Sequence, residues 1–182
     1  METLSARDQA PRPPRLAHFE LGPAEALDEP RRMAWVEAVE ELVVRVAEAA
    51  GLDRNRASDF GVAVREAVVN ALRHGEDPQH KRVAVGLRLS NGPALVVTVR
   101  DHGRGFDPAA LPDPRSPENL SRGCGRGVFY MRQLADQVAF AFPRRGGTVT
   151  RLWKRLPPTG RGSDPGLEEW LGPVPGQPDP GA

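Results

Sequence analysis

The stretch REAVVNALRHG, residues 65–75, carries an apolar stripe and a polar stripe at helical spacing. Val68 and Ala71 lie on the apolar side, and the same spacing continues upstream. Glu66 and Asn70 are four residues apart, so they share a different side of the helix. An amide oxygen is a hard ligand suited to Mg²⁺, and a carboxylate beside it can take a proton from a nucleophile. Taken alone, the pair has a simpler interpretation as two solvated side chains on an exposed helix face.

Helices and strands are predicted on both sides of this helix. Asp53 or Asn55 can cap its start, and Gly75 ends it. Apolar spacing predicts two further helices, over about 30–50 and 125–135. Alternating apolar residues bounded by turn residues predict five strands, over 16–21, 82–90, 95–100, 138–142 and 148–155. The order β-α-α-β-β-loop-α-β-β predicts an α+β fold, with three helices covering one face of a mixed sheet.

Composition narrows the class of protein. The chain has 182 residues, and its 25 basic side chains nearly cancel its 24 acidic ones, leaving a formal charge of +1. A dedicated nucleic-acid binder carries a clustered basic excess, so this balance argues against that class. The single cysteine, Cys124, excludes an internal disulfide. No apolar run approaches the roughly 20 residues of a membrane span, and the N-terminus lacks the apolar core of a secretory signal. We therefore expect a cytoplasmic protein.

Proline and glycine divide the chain into three regions. Residues 1–15 are polar and contain three prolines, which predicts a disordered N-terminal arm. Residues 16–156 hold every predicted element and form one domain. Half of residues 157–182 are proline or glycine, which predicts a mostly disordered tail.

A short segment inside that tail, SDPGLEEWLG at 163–172, breaks the polar composition. Ser163 or Asp164 can cap a helical turn, and Leu167 and Trp170 fall on one side of it together with the next leucine. So short a helix does not persist alone in water. The pattern predicts that the turn docks into a groove on its own domain or on a partner; the alternative is an accidental apolar cluster.

The second polar motif is VRDHGRGFD, residues 99–107, at the end of the predicted hairpin. Asp101 is an acceptor that could take the exocyclic amine of adenine. Gly103 and Gly105 would let the backbone approach a flat ligand closely. An ordinary Asp-Gly turn is the alternative interpretation.

The third motif is GCGRG, residues 123–127, which opens the third helix after a long proline-rich loop. Free N–H groups at a helix start favour phosphate, and Arg126 adds charge and planar donors. Neither a Rossmann fingerprint nor a Walker A loop is present, because no βαβ unit follows and no Gly-Lys-Ser/Thr occurs. Thr148, at the start of the last predicted strand, carries a hydroxyl that could bond a base edge.

Together these motifs resemble the ATP-binding domain shared by gyrase-type, histidine-kinase and MutL-type ATPases, known as GHKL or Bergerat ATPases. Glu66 and Asn70 match its N box, and Asp101 leads its Asp-x-Gly-x-Gly box. The second glycine box is matched by Gly123, Gly125 and Gly127, and the last box resembles Gly147-Thr148. The compact form most resembles the anti-sigma-factor serine kinases.

This resemblance implies a two-layer α/β sandwich that binds ATP and Mg²⁺ and phosphorylates a serine on a STAS-type anti-anti-sigma partner. Many members also bind a sigma factor and form homodimers. The implied roles are Glu66 as base, Asn70 as Mg²⁺ ligand, Asp101 as reader of adenine, the 123–127 amides as phosphate cradle, and Arg126 near the transferred group.

Two other functions fit the same motifs. One is a non-catalytic, ATP-gated binding module, which would not need the base at Glu66. The other is a detached histidine-kinase ATPase domain, which is disfavoured because His18 lies on a predicted strand and no phosphoacceptor helix pair precedes the domain.

Overall fold

The computed structural model describes residues 15–21, 28–74, 82–90, 93–108, 110–111, 126–144 and 146–158. Within these ranges the chain forms three helices and five strands in the predicted order. They are β1 (Arg15–Leu21), α1 (Glu29–Ala49), α2 (Arg54–His74), β2 (Val83–Leu89), β3 (Ala94–Arg100), α3 (Arg126–Leu134), β4 (Gln137–Ala141) and β5 (Val149–Arg155). Nearly all of the predicted N-terminal arm and tail, and the predicted helix end at Gly75, lie outside the described residues.

Aspartate caps start the two long helices. Asp28 Oδ1 accepts the N–H of Arg31 at 3.0 Å, and Pro30 occupies the first turn of α1. Asp53 Oδ1 accepts the N–H of Arg56 at 3.0 Å, so Asp53, the first of the two candidates, caps α2. Gly51 joins the helices with a φ of 97°, in the left-handed region that suits glycine.

The five strands form one sheet in the order β1-β2-β3-β5-β4. Every pairing among the described strands is antiparallel, which confirms the α+β class but corrects the expectation of a mixed sheet. The chain passes from β3 through α3 to β4 and then turns back into β5. β3 and β4 run in the same direction, but they do not pair because β5 lies between them.

The hydrophobic core lies between the three helices and one face of the sheet. Alternate residues of the strands contribute to it, for example Val83 and Val85 on β2 and Leu95 and Val97 on β3. The helices add buried side chains such as Phe60, which has no exposed surface. None of the described helices combines the length and apolar character needed to cross a membrane.

The two long helices approach each other closely at Gly61. A Cβ added there would lie 2.6 Å from Val44 Cγ2 on α1, so only glycine fits without a shift. This close contact fixes α1 against α2.

Candidate nucleotide-binding site

The start of α3 lies directly against the polar stripe of α2. A Cβ built on Gly127 would be 2.9 Å from Asn70 Nδ2 and 3.0 Å from Glu66 Oε2. Glu66 and Asn70 are half-buried, whereas Val68 and Ala71 are buried in the core, as the helical spacing predicts. Because Gly127 has no side chain, the start of α3 packs closely against a carboxylate and an amide that face the same point.

Arg126 is the first residue of α3 and is exposed, one position before the glycine that touches Glu66 and Asn70. A helix start offers unsatisfied N–H groups and a positive dipole end, both of which favour an anion. Gly123 and Gly125, the other glycines of the predicted phosphate cradle, lie outside the described residues.

A second group of predicted residues meets at the ends of β3 and β5. Asp101 is only 8% exposed, and its Oδ1 accepts the N–H groups of Gly103 at 2.9 Å and Thr148 at 3.0 Å. The N–H of Asp101 in turn donates to the carbonyl of Thr148 at 3.0 Å. Both backbone donors go to Oδ1, so Oδ2 is the oxygen left to accept from a ligand. The structure thus brings Asp101, Gly103 and Thr148 together.

Gly147, which the sequence analysis matched to the last box without giving it a role, also belongs to this group. Its φ is 89°, and its N–H donates to the carbonyl of Gly103 at 2.7 Å. A Cβ there would overlap the carbonyl oxygen of Asp101. Glycine at this position lets the two strand ends approach closely enough to hold Asp101. The Gly146-Gly147 pair was the available signal, but nothing local says which backbone it approaches.

An aromatic cluster secures the loop that follows Asp101. Gly105 has a φ of 75°, and Phe106 packs edge-on against Phe140 and Phe142, with ring centroids 5.2 and 5.6 Å apart. These contacts attach the loop to the edge strand β4 and so fix where the backbone of Gly103 and Gly105 lies. The pairing joins residues 34 or more positions apart, which no local pattern signals.

Glu66 also lines an open cleft between α1 and α2. The cleft has a volume of about 360 Å³ and contains Arg32, Arg65 and Arg73. The Nη1 atom of Arg65 lies 3.6 Å from Oε2 of Glu40 on α1. A group from solution can therefore approach Glu66 through a cleft whose lining includes three arginines.

Residues 30–154 match the family described as the histidine kinase-like ATPase domain. The match covers well over half of the chain and includes both groups of site residues. The chain therefore belongs to this family.

The chain is also similar to two other proteins. An anti-sigma F factor of Anoxybacillus flavithermus is 29% identical over 102 residues, which cover 54% of this chain and 69% of that protein. A crystal structure of the RsbU and RsbW domains of Rv1364c from Mycobacterium tuberculosis has a TM-score of 0.49 at 19% identity. The alignment covers 77% of this chain but only 32% of that longer one.

Proposed function

We propose that this chain is an ATP-dependent protein serine kinase that acts as an anti-sigma factor and phosphorylates a STAS-type anti-anti-sigma protein. The observation that carries the proposal is the contact of Gly127 with Glu66 and Asn70. It brings a potential base and a potential metal ligand close to the positive end of a helix. Phosphoryl transfer requires mainly such positioning and charge neutralisation.

The residues present fit a bound Mg²⁺. Mg²⁺ takes few protein ligands and completes its shell with water and substrate phosphates, so one amide oxygen at Asn70 suffices. Within the described residues no three His, Cys, Asp or Glu side chains are grouped to hold a metal by themselves. Bound there, Mg²⁺ would neutralise charge on the phosphates.

Glu66 is the proposed base. Its carboxylate would take the proton of a serine hydroxyl as that oxygen attacks the terminal phosphorus of ATP and the bond to the leaving phosphate oxygen breaks. The cleft between α1 and α2 supports this role because it gives a partner access to Glu66. Arg126, at the start of α3, would balance charge on the transferred group.

Asp101 is the proposed reader of adenine. Its two backbone hydrogen bonds fix Oδ1, so Oδ2 would accept the exocyclic amine of the base. The Thr148 hydroxyl would lie beside the same edge. Gly103 and Gly105 add no side chain that would block the ring.

The partners follow from the relatives. The Anoxybacillus protein is named as an anti-sigma F factor, which supports a sigma factor as a partner of this chain, and the family resemblance implies a STAS-type protein as the second partner. We also propose that the chain forms a homodimer, as the resembling family does, and that it works in the cytoplasm where those partners would be. Light scattering of the purified chain tests the homodimer: a monomer mass at micromolar concentration would contradict it.

The test of the kinase assignment is the intact mass of a STAS-type partner encoded beside this gene, after incubation with the chain and Mg·ATP. We expect one phosphoryl group on one serine, and none when a non-hydrolysable ATP analogue is used. A partner that binds only in the presence of ATP but gains no mass would make the chain a binding module. Phosphate on a histidine of an added protein would assign it to the histidine-kinase class.

A further inference from the structure

The sheet face turned away from the helices, here called the outer face, has an apolar centre. Strand register places Arg88, Val96, Trp153 and Gln137 side by side across β2, β3, β5 and β4. Their neighbours along the strands point into the helix-covered core, so these four side chains point outward. Val96 is completely buried, yet it is not a member of the core beneath the helices.

In this row of the outer face, two polar atoms of Trp153 and Gln137 are buried without a hydrogen-bond partner. They are the indole Nε1 of Trp153 and the amide Oε1 of Gln137. Such atoms are rare in folded proteins because each costs about 1–3 kcal/mol. The described helices all pack on the other face, so only side chains of the outer face itself or residues beyond the described ranges can exclude water here.

The outer face is also positively charged. Arg100, Arg151 and Arg155 project from it in addition to Arg88, and burial together with the nearby Arg151 charge lowers the pKa of Arg88. Among the described residues the acid on this face is Glu20, at the edge strand β1, where it lies 3.9 Å from both His18 and Arg82. An apolar centre flanked by arginines is complementary to a segment that is both aromatic and acidic.

We propose that the outer face is the docking site of the chain's own segment 163–172. That segment has Leu167, Trp170 and Leu171 on one side of its predicted helical turn, with Glu168 and Glu169 beside them. Residues 159–182 contain four acids and one arginine, the opposite sign to the outer face. The apolar side would cover Val96 and Trp153, and the two glutamates would face Arg88 and Arg151.

The tether allows this arrangement. The described chain ends at Pro158, three residues after β5, the strand that carries Trp153 and Arg151. Eight residues lie between Pro158 and Leu167, and the nine steps from one to the other, at about 3.3 Å each, can span roughly 30 Å. That length exceeds the distance across a sheet, and a short flexible tether gives a local concentration on the order of millimolar.

A second copy of the chain is a poorer occupant. In a two-fold pairing through the outer face, each copy would present the same surface to the other. The arginines of β2, β3 and β5 would then face arginines, at a cost that the acidic segment avoids.

The test follows the indole N–H of Trp153 by nitrogen-15 NMR in the full chain, which has three tryptophans. The variant replaces Leu167, Trp170 and Leu171 with serine, and the matched control is Val174→Ser, an apolar residue of the same tail outside the segment. Trp35 on α1 is the internal reference. We expect the triple variant to shift the Trp153 resonance and speed its solvent exchange by at least about tenfold, while the control leaves both unchanged.

A charge exchange tests the pairing. Arg151→Glu in the full chain should reproduce the triple variant's effect in part, and adding Glu168→Arg and Glu169→Arg should reverse it. An unchanged Trp153 resonance in the triple variant would overturn the proposal. A shift that disappears on dilution would assign the face to a second copy and would equally overturn it.

Discussion

Replacing Gly127 with alanine tests whether the close approach of α3 to α2 is needed for catalysis. The added Cβ would lie 2.9 Å from Asn70 Nδ2 and 3.0 Å from Glu66 Oε2. Ordinary contacts of carbon are about 3.5–4.0 Å, so the amide and the carboxylate must each move by roughly 0.5 Å. A displacement of about 1 Å at a reacting centre can cost on the order of 10²-fold in rate, so we expect a loss of roughly tenfold or more in single-turnover phosphate transfer.

Stability should change far less than activity. Alanine favours a helix over glycine by up to about 1 kcal/mol, which offsets strain from the displaced side chains. We therefore expect the free energy of unfolding in denaturant to stay within about 1 kcal/mol of the wild-type value. The matched control is Gly86→Ala, because a Cβ there would meet only His18 Nδ1, at 3.7 Å. Wild-type phosphate transfer by Gly127→Ala, with unchanged stability, would refute the argument that the close packing of α3 on Glu66 and Asn70 is needed for transfer.

Three further substitutions have distinct expected outcomes. Asp101→Asn keeps an oxygen for the two backbone N–H groups but replaces Oδ2 with a donor. Calorimetry should therefore show a loss of ATP affinity with little loss of stability. Asp101→Ala removes both oxygens, so it should also destabilise the fold, by about 1–3 kcal/mol. Equal unfolding midpoints for Asp101→Asn and Asp101→Ala would contradict a structural role for the two backbone hydrogen bonds. Asn70→Ala should weaken ATP binding in the presence of Mg²⁺ and leave binding in its absence nearly unchanged. Gly61→Ala should destabilise the fold by about 1–3 kcal/mol through overlap with Val44, and an unchanged melting temperature would show that α1 shifts freely.

Local patterns were sufficient to predict the elements of the fold. Apolar residues at helical spacing predicted α1 and α2, and alternation predicted β2 and β3, because each pattern reports which side of an element is buried. The order of strands in the sheet was not predictable in this way. The pairing of β3 with β5 joins segments about 50 residues apart, and either an antiparallel or a mixed sheet buries the same alternating faces.

The part of the site that depends on local spacing was also predictable from the sequence. A spacing of four residues puts Glu66 and Asn70 on one side of a helix whatever that helix packs against. The approach of Gly127 to both depends on how α3 packs on α2, and the requirement for Gly147 depends on a carbonyl from another strand. Such close approaches are tertiary properties, and the sequence shows only a glycine. The family resemblance supplied the roles that spacing alone left open.

Glu66→Gln tests the assignment of the base most directly, because it keeps the size and shape of the side chain and replaces the charged, proton-accepting carboxylate with a neutral amide. The measurement is Mg·ATP affinity and single-turnover transfer to the cognate STAS-type partner, with the same protein samples. We expect Glu66→Gln to bind Mg·ATP with nearly wild-type affinity and to transfer phosphate about 10²–10⁴-fold more slowly. Transfer at the wild-type rate would contradict the assignment of Glu66 as the base.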